Sequence, residues 1–216
     1  MILNQPLDVL VLLFPALIFS LCVHECAHGF VAYYYGDETA YRMGRLTLNP
    51  LKHMDPIGTA MLLIAGFGYA KPVPVNPNNL KNPNKDMIKI AAAGPLSNFL
   101  LALIPCVVFK LIAFNMLPIA IIKFLLLFFT INIFLGIFNL LPIFPLDGGQ
   151  IFNNVMYKRS PDAVQFLQTN GMYILLGIII IGRISNFNFI FELSKPLIYF
   201  YAYVFNVPEL MFIING

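Results

Sequence analysis

Long apolar segments dominate this sequence and restrict what the chain can fold into. Residues 7–23 (LDVLVLLFPALIFSLCV), 87–109 and 117–141 are almost continuously apolar, and residues 171–213 are apolar with polar interruptions. An apolar stretch of about 20 residues is long enough to cross a bilayer as a helix. The sequence therefore predicts an all-α polytopic membrane protein with four to six transmembrane helices, the first of which continues to about Tyr35.

The composition excludes an ordinary soluble domain and argues against a nucleic-acid-binding protein. Of the 216 residues, 59% are hydrophobic and 11% are charged, whereas an average soluble domain has about 25% charged residues. The formal net charge of +3 and the lack of a basic stripe argue against a nucleic-acid partner. This composition predicts that the protein lies in a lipid bilayer.

The segments between the spans predict the domain organisation. Residues 37–86 contain a short apolar run, Gly58–Ala70, which is too short and too rich in glycine to span a bilayer. We expect a re-entrant or short β-like segment there, able to pair with an extended substrate. Residues 151–170 are polar and predict a loop with a short helix. The whole chain, 1–216, is predicted to be one membrane domain with a core over about 7–150 and C-terminal spans over 171–213.

The distribution of lysine and arginine predicts the orientation in the membrane. Six of these residues lie in 37–86 and two follow the third span, whereas only Lys110 and Lys123 flank the turn between the second and third spans. Positive charges are retained on the cytoplasmic side. We therefore expect the N-terminus outside and the loops 37–86 and 151–170 in the cytoplasm.

One charged cluster in the first span points to metal chemistry. His24-Glu25-Cys26-Ala27-His28 has the pattern H-E-x-x-H, and residues four apart on a helix share a face, so both imidazoles can reach one metal ion. Glu25 is offset by about 100°, where it can take a proton from water rather than bind the metal. The alternative is a polar cap at the end of the helix, but ionisable residues in a span are costly without a function.

A catalytic zinc site needs a third protein ligand. Asp147 is the better candidate because a carboxylate at the proline-bounded end of a span needs a partner or a metal. It could alternatively cap a helix that starts near Gln150. The remaining histidine, His53, lies in the 37–86 loop, where no spacing ties it to the pair.

The motifs together resemble one known family. HECAH in the first span and N-L-L-P-I-F-P-L-D-G at the end of a later span are similar to the two motifs of the site-2 protease family (peptidase family M50). The segments TLNPLKHMDPIGT, FGYAKPVPVNP and AAAGPLSN resemble its small bacterial branch, which lacks an appended PDZ or CBS domain. Tyr69 departs from this branch, where a tryptophan is expected.

The resemblance implies an intramembrane zinc metalloprotease in the plasma (cell inner) membrane that cleaves transmembrane segments of other proteins. His24, His28 and Asp147 would bind one Zn²⁺ per chain, Glu25 would be the general base, and Asn139 would donate to the carbonyl oxygen of the scissile bond. Asn139 could instead form interhelical hydrogen bonds, and Gly94 and Asn98 are expected to allow close helix packing. The alternative function is a zinc or proton-coupled transporter using the same ligands, although no internal repeat is visible.

Overall fold

The structure, a computed structural model, describes residues 6–65, 68, 70–112, 114–185 and 188–215. Within these ranges the chain forms helices joined by short connections, and the one β feature is an isolated antiparallel bridge between Met54 and Ala70. The α-helices are α1 (Leu7–Tyr34), α2 (Thr39–Arg42), α3 (Pro56–Ala65), α4 (Pro83–Leu111), α5 (Ile119–Leu140), α6 (Asp147–Met156), α7 (Pro161–Ser185), α8 (Phe189–Phe205) and α9 (Phe212–Asn215).

Four of these helices are long and apolar enough to cross a membrane. They are α1, α4, α5 and the Pro161–Gly182 part of α7. Helix α8 has 17 residues, fewer than the roughly 20 that a span across about 30 Å of hydrocarbon requires. The prediction of an all-α polytopic membrane protein is therefore confirmed, and the described part of the chain has four helices that meet both requirements.

Helix α7 begins earlier than the sequence predicts. The polar residues 161–170, expected to be loop, form its first turns. The physical reason is a strong helix start: Pro161 is the first helical residue and Asp162 lies in the first turn, where a fixed φ angle and a negative charge are both favourable. The short helix expected in 151–170 is α6, which begins earlier, at Asp147.

The short apolar run after α1 is helical over most of its length. Helix α3 has ten residues and so extends only about 15 Å, which agrees with a re-entrant segment and not with a strand. Because a helix satisfies its own backbone hydrogen bonds, strand addition by a substrate along Pro56–Ala65 is not supported. Tyr69, the departure from the family pattern, lies outside the described residues.

Three helices form the centre of the molecule and position the candidate site. Helices α1, α4 and α5 pack against one another, α6 packs against α4, and α8 packs against α5. The largest apolar core joins α4, α5 and α8 around Phe129, Ile133 and Ile198, which are all fully buried. Van der Waals packing of these side chains holds α5 and α8 against the C-terminal half of α4.

The loop after α1 is fixed by a buried carboxylate, Asp37. It accepts hydrogen bonds from Thr39, from the backbone N–H of Asn76 at 2.7 Å and from the side-chain amide of Asn79 at 2.7 Å. Burial alone would raise the pKa of Asp37, but these hydrogen bonds outweigh burial and hold its pKa below the ordinary value of 3.8. The charged form therefore anchors the extended chain that ends at Asn76.

Candidate metal centre

Three predicted ligand atoms from two distant parts of the chain meet at one point. The Nε2 atoms of His24 and His28 are 3.1 Å apart, and Asp147 Oδ2 lies 3.1 Å from the first and 3.3 Å from the second. Both histidines are buried and Asp147 is half-buried. Among the residues that the structure describes, this is the one group of three such side chains with metal-binding spacing.

The outer nitrogens of both imidazoles are occupied by hydrogen bonds. His24 Nδ1 lies 2.6 Å from the Asn98 side-chain oxygen, and His28 Nδ1 lies 2.7 Å from the Ile90 carbonyl oxygen. Because these oxygens only accept hydrogen bonds, each neutral imidazole carries its hydrogen on Nδ1 and a lone pair on Nε2. The two Nε2 lone pairs and the carboxylate oxygen therefore face one another.

This arrangement fits a divalent cation. Asp147 Oδ2 is buried and has no hydrogen-bond donor among the described residues, so a cation is the partner that this cluster lacks. Ligands about 2.0–2.1 Å from a tetrahedral zinc ion stand roughly 3.3 Å apart, close to the three observed separations. Two imidazoles and a carboxylate are also a donor set that zinc accepts.

Gly94 of α4 leaves the space between the two imidazoles open. A Cβ atom added to Gly94 would lie 2.5 Å from His24 Nε2 and would also collide with His28 Nε2. The sequence indicated that Gly94 allows close helix packing. The structure adds that the missing side chain keeps the three ligand atoms accessible to an ion.

A buried polar chain supports His24 from behind. Asn98 donates to the side-chain oxygen of Asn132 at 3.0 Å, and Asn132 donates to the Ser20 hydroxyl at 2.9 Å. Asn98, Asn132 and Ser20 are each fully buried. Sequence reasoning treated Asn98 as a packing residue and missed Asn132, although a polar residue in the apolar span 117–141 was the available signal.

Asp147 owes its place to the turn between α5 and α6. It is the first residue of α6, and the next residue, Gly148, lies directly against the backbone of Leu140 and Leu141 at the end of α5. A side chain on Gly148 would collide with both carbonyl oxygens. The glycine therefore lets α6 begin close to the end of α5, which carries Asp147 to the histidines.

Glu25 contacts Val73, a residue that the sequence analysis did not single out. Its Oε2 atom accepts a hydrogen bond of 2.8 Å from the backbone N–H of Val73. Val73 lies in the segment KPVPV, which was noted only as part of the family resemblance. Glu25 is partly exposed, so its carboxylate is not sealed away from solvent or substrate.

The cluster of ligand atoms does not include His53, Cys26 or Asn139. His53 is buried with Nε2 2.6 Å from the Thr47 carbonyl, and the Cys26 thiol donates to the same carbonyl at 2.9 Å. The Asn139 side chain donates to the Leu135 carbonyl of its own helix at 2.9 Å. In the described part of the chain, no hydrogen bond joins Asn139 to the three ligand atoms, and its predicted role stays a prediction.

Comparisons with known proteins identify a matching family and related sequences. The model of peptidase family M50 matches residues 12–115 and 110–181, which together include both histidines and Asp147. YwhC of Bacillus subtilis (strain 168), a candidate zinc metalloprotease by its name, is 37% identical over 215 residues, covering 91% of this chain and 98% of YwhC. No solved structure matches the chain.

A second relative comes from an archaeon. Zinc metalloprotease MJ0392 of Methanocaldococcus jannaschii is 27% identical over 192 residues, which cover 88% of this chain and 48% of MJ0392. The chain thus spans about half the length of that relative and nearly all of YwhC. These matches favour a protease over the transporter alternative. The chain belongs to peptidase family M50, the site-2 protease family, and is a multi-pass membrane zinc metalloprotease.

Proposed function

We propose that this protein hydrolyses peptide bonds within the transmembrane segments of other membrane proteins. The observation that supports the proposal is the triangle of ligand atoms, two of which belong to a membrane-spanning helix, α1. His24 lies ten residues before Tyr34, the last residue of α1, which corresponds to about 15 Å along the helix axis. That is about half the thickness of the hydrocarbon core, a depth that a membrane-embedded peptide bond can reach.

The proposed cofactor is one zinc ion per chain, held by His24 Nε2, His28 Nε2 and Asp147 Oδ2. Three protein ligands are typical of a catalytic zinc site. When bound, zinc supplies Lewis acidity that polarises a peptide carbonyl and makes water a stronger nucleophile at neutral pH. The hydrogen bonds from both Nδ1 atoms keep the two imidazoles in the tautomer that this binding requires.

Glu25 is the proposed general base. As the water oxygen bonds to the peptide carbon, the Glu25 carboxylate takes the proton that the water loses. When the C–N bond breaks, the same proton passes to the leaving nitrogen. Val73 holds Oε2, so Oε1 is the oxygen that we assign to proton transfer.

Asn139 is the proposed donor to the developing oxyanion. Its side-chain amide has two N–H groups, and the bond to Leu135 uses one of them. The second can stabilise negative charge on the substrate oxygen. This role requires the substrate carbonyl to lie beside the end of α5.

The proposed partners and location follow from the setting of the site. A helical substrate must unwind locally before attack, because its carbonyl oxygens are held in hydrogen bonds. We place the chain in the plasma (cell inner) membrane as a single domain over 1–216, with the N-terminus outside and loops 37–86 and 151–170 in the cytoplasm. The excess of lysine and arginine in those loops supports this orientation.

The test is the variant Glu25→Gln, which keeps the size of the side chain and removes the base. We expect at least a hundredfold loss in cleavage of a quenched fluorescent apolar peptide in detergent, with zinc content unchanged by elemental analysis. The matched control is Glu38→Gln, because Glu38 is exposed and pairs with Arg42 on the protein surface. Normal cleavage by Glu25→Gln would remove the assigned role of Glu25.

A further inference from the structure

An extended segment of the chain lies against the carboxylate of Glu25. This segment, Lys71–Val75, is here called the strap. Its first residue donates from the backbone to the His53 carbonyl at 2.7 Å, and the residue after it, Asn76, donates to Asp37 at 2.7 Å. The strap is therefore fixed at both ends.

The middle of the strap has a single hydrogen-bond donor. Pro72 and Pro74 have no backbone N–H, so the Val73 N–H is the one amide between them, and it is the donor that binds Glu25 Oε2. The Val73 side chain is 8% exposed and packs beside Gly29 of α1. The two prolines and this packing leave the amide little freedom to turn away from Glu25.

A buried cation holds the other side of the same peptide group. Arg45 is 6% exposed, and its Nη2 donates to the carbonyl oxygens of Lys71 at 2.8 Å and Pro72 at 3.3 Å. Among the residues that the structure describes, the Arg45 Nε has no hydrogen-bond partner, and none of the ion pairs includes Arg45. Burying a charge without a carboxylate partner is costly. The two carbonyl oxygens are therefore the groups that stabilise the buried guanidinium.

The Pro72 carbonyl and the Val73 N–H belong to one peptide bond. The cation therefore bonds to the oxygen end of this peptide group, and the Glu25 carboxylate bonds to its hydrogen end. Hydrogen bonds in such a chain polarise and strengthen one another, above all where the effective dielectric is low. Arg45 thus acts on Glu25 through the peptide plane without touching it.

We propose that Arg45 is a positioning residue that, through the Pro72–Val73 peptide group, fixes Glu25 Oε2 and leaves Oε1 free to accept the proton from water. This inference rests on the proposed function of Glu25. Removal of the cation loosens the strap and widens the range of orientations open to the carboxylate. The step that depends on this orientation is proton transfer, so the loss falls on kcat rather than on substrate binding.

The test compares Arg45→Gln with Arg45→Lys and with the control Arg42→Gln. Arg42 is exposed and pairs with Glu38 on the protein surface. Using the full chain in detergent and the quenched apolar peptide, we expect Arg45→Gln to lower kcat about ten- to a hundredfold, with KM within about twofold. Zinc content stays unchanged, Arg45→Lys regains part of the rate, and Arg42→Gln matches the parent protein.

A second measurement reports on the hydrogen bond between the Val73 N–H and Glu25. In protein labelled with ¹⁵N-valine, the Val73 amide should exchange with solvent faster in both Arg45→Gln and Glu25→Ala than in the parent. Val73→Pro removes the N–H while leaving Arg45 in place, and it should reproduce the loss of kcat if Arg45→Gln does not fold.

The outcomes separate this inference from the proposed function. If Glu25→Gln is inactive but Arg45→Gln and Val73→Pro retain the parent kcat, the positioning role is wrong and the function of Glu25 stands. Loss of zinc from Arg45→Gln would indicate a structural role for the arginine and would also overturn the inference. If Glu25→Gln remains active, the proposed role of Glu25 is wrong, and the inference about Arg45, which rests on that role, is wrong as well.

Discussion

At the scale of single residues, the site depends on which atoms carry hydrogens. His24 and His28 present lone pairs at Nε2 because Asn98 and Ile90 accept the hydrogens on Nδ1. The pattern H-E-x-x-H predicted the two histidines on one helix face, and that prediction agrees with the 3.1 Å separation of their Nε2 atoms. It carried no information about the groups that select the tautomer.

The variant Asn98→Leu tests the support of His24. It keeps the number and branching of the side-chain heavy atoms but removes the acceptor for the Nδ1 hydrogen, so the imidazole is free to adopt the tautomer that does not bind metal. We expect zinc affinity to fall about ten- to a hundredfold, measured by competition with a chelator. Asn84→Leu on the exposed start of α4 is the control, and an unchanged affinity for Asn98→Leu would contradict the role.

At the scale of helices, the site exists because three of them approach closely. Helix α1 supplies both histidines, α4 passes beside them at Gly94, and α6 begins at Asp147. The sequence predicted α1, α4 and α5 to within a few residues. It missed the start of α6 at Asp147, because the motif N-L-L-P-I-F-P-L-D-G looks like a proline-bounded break until the turn is folded.

The variant Gly94→Ala tests the approach of α4. Alanine favours the helix by about 1 kcal/mol over glycine, yet its Cβ atom would occupy the space beside both Nε2 atoms. We therefore expect helix content by circular dichroism to be kept and bound zinc per chain to fall sharply. Gly177→Ala in α7, where an added Cβ meets nothing within 4 Å, should leave zinc binding unchanged. Full zinc occupancy in Gly94→Ala would show that the site has more room than the structure indicates.

At the scale of the whole molecule, the proposed metal joins the two ends of the catalytic core. His24 lies in the first span and Asp147 follows the third, so an ion held by both links α1 to α6. The Nε2 lone pairs of the two histidines face Asp147 Oδ2, which has no hydrogen-bond donor in the described part of the chain. Metal binding should therefore stabilise the fold as well as supply chemistry.

Removal of metal should lower the thermal unfolding midpoint in detergent. A ligand at a hundred times its Kd stabilises a folded protein by about 2.7 kcal/mol, and chelation removes that contribution. We expect added zinc to restore the midpoint in the parent protein and to have little effect in Asp147→Asn, which lacks the charged ligand. An equal zinc response in both proteins would argue that the ion binds elsewhere.

The amino-acid sequence by itself determined the membrane class, the main spans and the chemistry of the candidate ligands. Long apolar segments leave few folds open in a bilayer, and helical periodicity relates His24 to His28 without any tertiary contact. Only the tertiary structure decided how Asp147 and Asn98 meet the histidines, how Asn132 supports Asn98, and how the Val73 amide meets Glu25. Such contacts join distant segments through packing of α1, α4, α5 and α6, and no local periodicity encodes the distance between atoms on different helices.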